Sequence, residues 1–237
     1  MYQSIITEVD DTIGLLTLNK PERHNALDET LVGELSSALL ALEADPRVRV
    51  VVLSATGKIF CAGNDVAWTR RSAANGAQDK QHDEDLLGHL MLTLNNLSKP
   101  TLARVQGAAL GSGVGLVAAC DIAVANYDCQ FALTEVRFDA VPAMICPFIL
   151  AAIGERHARR YLLTTERFSA AEAYRIGLVH EIVPDEEQLD EAIGEIVDKL
   201  LKNGQQALGA CKSLIRRVAG RPLDESTLKE AGRHGLR

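Results

Sequence analysis

Chemistry concentrates in one stretch of this sequence, Val105-Gln-Gly-Ala-Ala-Leu-Gly-Ser-Gly-Val-Gly-Leu-Val-Ala-Ala-Cys-Asp-Ile-Ala-Val-Ala125. It reads as a buried strand, a glycine-rich turn, a short apolar helix and a second buried strand, with almost no charge until Asp121. Gly107, Gly111, Gly113 and Gly115 let the backbone turn sharply and approach a bulky neighbour. The residues after Gly111 open a helix, whose first amides lack internal partners and carry the positive end of its dipole. Such a terminus can stabilise the anion formed from a carbonyl during a reaction. Glycines this dense also fit tight helix–sheet packing with no chemistry, and spacing alone does not separate the two readings.

Several catalytic templates fail on the same residues. Leu116 stands where the third glycine of a dinucleotide fingerprint belongs, and no Lys-Ser/Thr follows at phosphate-loop spacing. Ser112 is flanked two positions away by Leu110 and Val114, not by the glycines of a nucleophile elbow. The histidines form no metal-binding pair, and no two cysteines are spaced to chelate zinc. Neither a metal nor a nicotinamide enzyme is expected.

The elements that must position this stretch can be read in chain order. Gly14 to Asn19 alternates like a strand and stops at Pro21. Asp28 caps an amphipathic helix to about Ala44, with Leu31, Leu35, Leu39 and Leu42 on one face. Val48 to Leu53 is a near-continuous apolar run, as in a strand covered on both sides. A loop ends in Phe60-Cys-Ala-Gly-Asn-Asp65, and the small polar residues 72–85 read as a mobile segment. A helix resumes near Glu84, and Lys99-Pro100 breaks it before a strand over Thr101 to Val105. Gln130 to Leu133 is a short strand, and Pro142 precedes a helix built on Ile145 to Ile153. Ser169-Ala-Ala-Glu172 is a capping box, and Leu178 to Val183 is a strand. After Pro184 the chain reads as wholly helical. The pattern is α/β, with residues 1–184 as the core and 185–237 as a helical appendage, and no linker separates independent domains.

Composition narrows the partners. Lys+Arg 25 against Asp+Glu 32 gives a formal charge of -7, which disfavours a nucleic-acid surface. Five scattered cysteines without Cys-x-x-Cys suggest reduced structural thiols. With no leader and no 18-residue apolar span, the expectation is a soluble, cytoplasmic protein that does not engage a membrane.

Phe60-Cys-Ala-Gly-Asn-Asp65 and Gln106-Gly-Ala-Ala-Leu-Gly-Ser-Gly113 together resemble the two oxyanion-hole signatures of the enoyl-CoA hydratase/isomerase (crotonase) superfamily. The resemblance runs from Leu18-Asn-Lys-Pro-Glu-Arg-His-Asn-Ala-Leu27 to Leu178-Val-His-Glu-Ile-Val183. Within it, Leu133 to Phe148 and Ala158 to Phe168 look most like bacterial methylglutaconyl-CoA hydratases. The resemblance implies a spiral of ββα units with terminal helices that build a homotrimer or a dimer of trimers. The implied substrate is an acyl-CoA thioester, with no cofactor beyond the coenzyme A it carries. Its carbonyl would sit between the backbone amides of Asn64 and Ser112, beside Gly111, with Glu135 handling the proton.

Further roles follow from the same resemblance. Arg23, His24, Ala26, Lys58 and Ala62 correspond to loops flanking the pantetheine arm and adenine, and Asp65, Gly115 and Pro142 belong to the binding region. Trp68-Thr-Arg-Arg71 would begin the acyl-pocket wall, where Arg70 or Arg71 can pair with a distal carboxylate. The second glutamate of well-known hydratases should fall at 115, where this chain has Gly115. That glycine is expected to leave a small void for a water. Single-glutamate Δ3,Δ2-enoyl-CoA isomerases and a catalytically silent relative are the alternatives. Asp139 stands where relatives usually have glycine, and the family's longer Phe-, Lys- and Arg-bearing tail is not seen before Arg237.

Overall fold

Strand β3 (Val50–Ala55) is apolar at most positions because the fold covers both its faces. The computed structural model describes residues 2–234. Val51 and Leu53 point into one core with helix α1 (Glu29–Ala44), whose Leu31, Leu35 and Leu39 are fully buried. Val50 and Val52 point the other way, into a second core. Side chains alternate across a strand, so two buried faces require an unbroken apolar run. Asp28 caps α1 as expected, accepting from the Leu31 amide at 2.9 Å.

The remaining strands wind between two sheets. The larger has the order β1 (Ile5–Asp10), β2 (Ile13–Leu18), β3, β4 (Thr101–Val105), β6 (Ile122–Asn126), β9 (Glu181–Val183). The smaller pairs β5 (Ala108–Leu110) with β7 (Gln130–Ala132) and β8 (Phe168–Ser169). From β4 onward the chain alternates: β4 large, β5 small, β6 large, β7 small. Each turn of this spiral sends one strand to each sheet, which carries the end of β5 alongside the end of β7. Helix α4 (Ser112–Ala119) starts there, and α5 (Cys146–Thr164), α6 (Ala170–Arg175) and β9 complete the core. Strand β1 escaped the sequence reading, and β9 is shorter than Leu178 to Val183.

Two expectations need correction. Residues 72–85, read as mobile, belong to helices α2 (Val66–Asn75) and α3 (Ala77–Asn96), which join at Gly76. Small and polar residues there suit helical turns that are exposed throughout residues 73–82, and Leu87, Leu90, Met91 and Leu94 anchor the rest. The first C-terminal helix, α7 (Glu186–Leu201), does not stand apart from the core. Its Leu189, Ala192, Ile193 and Val197 build the second core with Val50, Val52, Leu102, Val124 and Val183. A division at residue 184 would therefore cut through that core.

What does stand apart is α8 (Gln205–Val218) and α9 (Glu225–His234). Helix α8 buries none of its residues. Cations on backbone carbonyls tether it instead: Lys212 Nζ donates to Lys99 O at 2.9 Å and Arg216 to Asn95 O at 2.7 Å. Lys212 also pairs with Asp121 at 2.6 Å. No helix of the described residues is long and apolar enough to cross a membrane.

Candidate active site

The loop ending in Asn64 is held like a strand between two neighbours. Phe60 and Cys61 donate to Gln106 O and Ala108 O at 3.1 and 3.2 Å, and Leu110 returns a bond to Cys61 O at 2.9 Å. On its other side Ala62 donates to His24 O at 3.0 Å, Leu27 to Gly63 O at 2.8 Å, and Asp65 to Leu27 O at 2.8 Å. Backbone pairing on both edges leaves the loop little freedom. Among the described residues, the amides of Asn64 and Ser112 donate no hydrogen bond. Ser112 is the first residue of α4, where an amide has no intrahelical acceptor.

Glu135 reaches this point from the neighbouring strand. Gly111 donates to Ala132 O at 2.8 Å, which extends the β5–β7 pairing and locks the start of α4 beside the end of β7. Glu135 opens a one-turn 3₁₀ helix, Glu135–Phe138, three residues beyond the end of that bond's acceptor strand. Arg137 braces this turn through Thr165, with bonds of 2.7 Å to its hydroxyl and to its carbonyl. The Glu135 carboxylate lies against Gly111: a Cβ on that glycine would sit 2.7 Å from Oε1, and Gly111 has φ +50°. Both the conformation and the close approach require glycine there.

The carboxyl is also unusually placed for a charge. Burial pushes its pKa above the ordinary glutamate value, against a smaller opposing effect of the Glu135 and Thr134 amides. Oε2 is buried without a hydrogen-bond partner. By contrast Cys61, in the adjoining loop, is pushed up to about 12 by burial, so no thiolate competes as a nucleophile.

These groups open on a cavity of about 270 Å³, lined by Asn64, Ser112 and Glu135 together with side chains of α2, α3 and residues 138–145. Pro142 is on its wall, as are Trp68 and Asp139. Asp139 sits in the left-handed region at φ +57°. Asp tolerates that conformation better than most non-glycine residues, which explains how a residue with a side chain can stand there.

Other expected contacts fall elsewhere. Arg71 pairs with Glu29 at 2.6 Å on the outer surface, and exposed Arg70 is not on the cavity wall. The basic side chain on that wall is Lys80, accompanied by Asp83 and Glu84. Sequence reasoning missed all three because it did not extend α3 back to Ala77. Their spacing with Leu87 (80, 83, 84, 87) is one helix face, the signal that would have found them. Asp65 is a helix cap: its Oδ1 accepts from Ala67 and Trp68 at 2.8 and 3.0 Å, and it pairs with Arg23 at 3.3 Å. It positions Asn64 and Trp68 and does not line the cavity. His24 and Lys58 are exposed, and Ala26 and Ala62 half-buried, on adjoining loops outside the cavity.

Gly115 is the largest departure. The expected void is absent, because a Cβ there would lie 2.4 Å from Ile145 Cγ2 and 3.3 Å from Met91 Cε. Ile145, itself on the cavity wall, already fills the space. Close packing leaves no room for an ordered water without polar partners. Among the described residues no group of three or more His, Cys, Asp or Glu could hold a metal ion.

This arrangement can polarise a carbonyl at two free amides and move a proton at an adjoining, weakly acidic carboxyl. A family model, enoyl-CoA hydratase/isomerase, matches residues 8–234. Crotonyl-CoA hydratase of Syntrophomonas wolfei is 31% identical over 99% of this chain and 90% of its own. The mitochondrial enoyl-CoA hydratase of Pongo abelii is 32% identical over 97% of this chain and 78% of its own. The crystal structure of an enoyl-CoA hydratase from Shewanella pealeana superposes with a TM-score of 0.95, at 33% identity, covering 99% of this chain and 88% of that one. The chain belongs to the enoyl-CoA hydratase/isomerase family.

Proposed function

We propose that this protein adds water to the double bond of a 2-enoyl-CoA thioester through an enolate. The observation that carries the reading is the meeting of Glu135, its Oε2 unpartnered, with two undonated amides around one cavity. The thioester oxygen accepts from the Asn64 and Ser112 amides, which strengthen their hold as it becomes an enolate oxygen. Glu135 takes a proton from water while the water oxygen bonds to Cβ, and returns that proton to Cα as the enolate collapses. Its raised pKa makes it a stronger base in the first half and keeps the proton transfer near balance in the second. The relatives' hydratase names support this direction.

For the acyl group, a methylglutaconyl-like chain remains the finer proposal, now with Lys80 in place of the arginines as the cation facing its carboxylate. Coenzyme A would lie over the loops carrying Arg23, His24 and Lys58. Exposed apolar residues on the tail support a homotrimer or dimer of trimers: Ile215 is 61% exposed and Leu228 72%. Light scattering that finds a stable monomer at micromolar concentration would remove the assembly proposal.

One observation favours a second reading. The place of a second carboxylate is filled by Ile145, and moving a proton between carbons needs only one base, as in a Δ3,Δ2-enoyl-CoA isomerase. Incubation with 2-enoyl and 3-enoyl thioesters in deuterated water separates the two. A deuterated 3-hydroxyacyl product supports hydration; double-bond migration without hydroxyacyl product sinks it.

A further inference from the structure

Among the described residues, only two buried side-chain polar atoms lack a hydrogen-bond partner: Glu135 Oε2 and Trp68 Nε1. Both residues line the same cavity. A buried polar group left unpaired is costly, and functional sites are where such costs persist. Glu135 keeps its orphan oxygen for the reacting water. The same reasoning applied to Trp68 leaves an indole N–H that has no acceptor of its own.

We propose that Trp68 Nε1–H is a specificity-determining donor for an oxygen carried by the acyl chain beyond Cβ. The residue is well anchored. Trp68 is 6% exposed, and its backbone amide is one of the two that Asp65 caps at the start of α2. The cavity wall carries acceptors, among them Asn64, Ser72 and Glu135, yet none of them accepts from Nε1. A hydrocarbon acyl chain would leave the N–H unpaired, whereas an oxygenated one completes it. Discrimination of this kind comes from the unpaired group left behind in the wrong complex. The oxygen can belong to a carboxylate or to an uncharged ketone. Lys80 favours the first; Asp83, Glu84 and Asp139 on the same wall favour the second.

This inference rests on the thioester reading of the site, and the test keeps the two apart. Hex-2-enoyl-CoA, 5-oxohex-2-enoyl-CoA and glutaconyl-CoA form a matched series: hydrocarbon, ketone and carboxylate at the same position. Glu135-dependent hydration of any member supports the thioester reading whatever Trp68 does. The expected result is a kcat/KM ratio on the order of tenfold or more for an oxygenated thioester over the hexenoyl one, collapsing toward unity in Trp68→Phe. The ketone and carboxylate arms identify which oxygen is read. A ratio near unity in the wild type overturns the proposal. So does a ratio that survives Trp68→Phe and is lost in Lys80→Met, which would transfer the recognition to Lys80.

A second readout does not depend on the folding of Trp68→Phe. Trp68 is the only tryptophan in the chain, so a single indole N–H resonance reports this contact. In Glu135→Gln protein saturated with each thioester, that resonance should move downfield with the oxygenated chain relative to hexenoyl-CoA. The same position with all three would overturn the proposal.

Discussion

Gly111 and Gly115 lie one helical turn apart, and the structure uses the space at each for opposite purposes. At Gly111 the missing Cβ admits a carboxylate oxygen; at Gly115 it admits the branched end of Ile145. The first is a polar approach joined to a backbone conformation closed to other residues. The second is hydrocarbon packing at ordinary helical angles. Both meanings of a glycine-rich stretch are thus present in one element, a buried carboxylate at its start and close packing a turn later. The lesson is that glycine density marks crowding; only the neighbour's identity says what the crowding is for.

The strongest way to break this contrast is to remove the carboxyl that Gly111 accommodates. Glu135→Gln keeps the shape and loses the titrating proton, so thioester binding should persist while turnover falls by about a hundredfold or more. Retention of a tenth of the wild-type rate would take Glu135 out of the mechanism. Next comes Gly111→Ala, which places a methyl 2.7 Å from Oε1 at φ +50°. Strain of this kind costs about 1–3 kcal/mol, and displacement of Glu135 should lower kcat by roughly tenfold or more.

Gly115 sharpens the comparison from the other side. Gly115→Glu alone should be destabilising by about 1–3 kcal/mol through overpacking against Ile145. Pairing it with Ile145→Gly should recover much of that loss, because the two sites share one space and their effects cannot add. Chemical denaturation of the four proteins in the cycle measures this. Equal destabilisation of the single and double variants would mean that Ile145 is not the obstacle.

The same contrast explains what could be read in advance. Strand β4, helix α1 with its Asp28 cap, and the loop through Asn64 follow from local pattern, because apolar periodicity and capping act over a few residues. The place of Glu135 beside Ser112 on the cavity wall was legible through the family resemblance of the segment around it. Of the rest of the cavity wall, Trp68 and Pro142 were expected but Ile145 and Lys80 were not: they reach the cavity from elements distant in sequence, and whether Gly115 faces a void or a side chain is decided by tertiary packing. Residues 72–85 misled for a related reason. Their polarity described one solvated helix face, and the buried face began only at Leu87.

Smaller in effect, but more searching, is the stability of the Gly111 side as pH changes. Burial raises the pKa of Glu135 in the folded protein above its ordinary value. The folded state therefore binds the proton more tightly than the unfolded chain does. Below the unfolded pKa, near the usual 4.5, both states are protonated and the burial of Glu135 carries no electrostatic penalty. As pH rises through the window up to the folded pKa, the penalty develops, and above it the penalty is fully present. Glu135→Gln cannot ionise, so its stability relative to wild type should grow with pH across that window. At neutral pH the variant's Tm should exceed wild type by at most a few degrees, since about 1 kcal/mol moves Tm by about 2–4 °C in a chain of this size. Toward pH 4.5 the difference should shrink. Thermal unfolding of both proteins across that range reads the sign directly. A variant less stable than wild type at neutral pH would mean that the carboxylate is well solvated or paired, contrary to its buried, unpartnered Oε2.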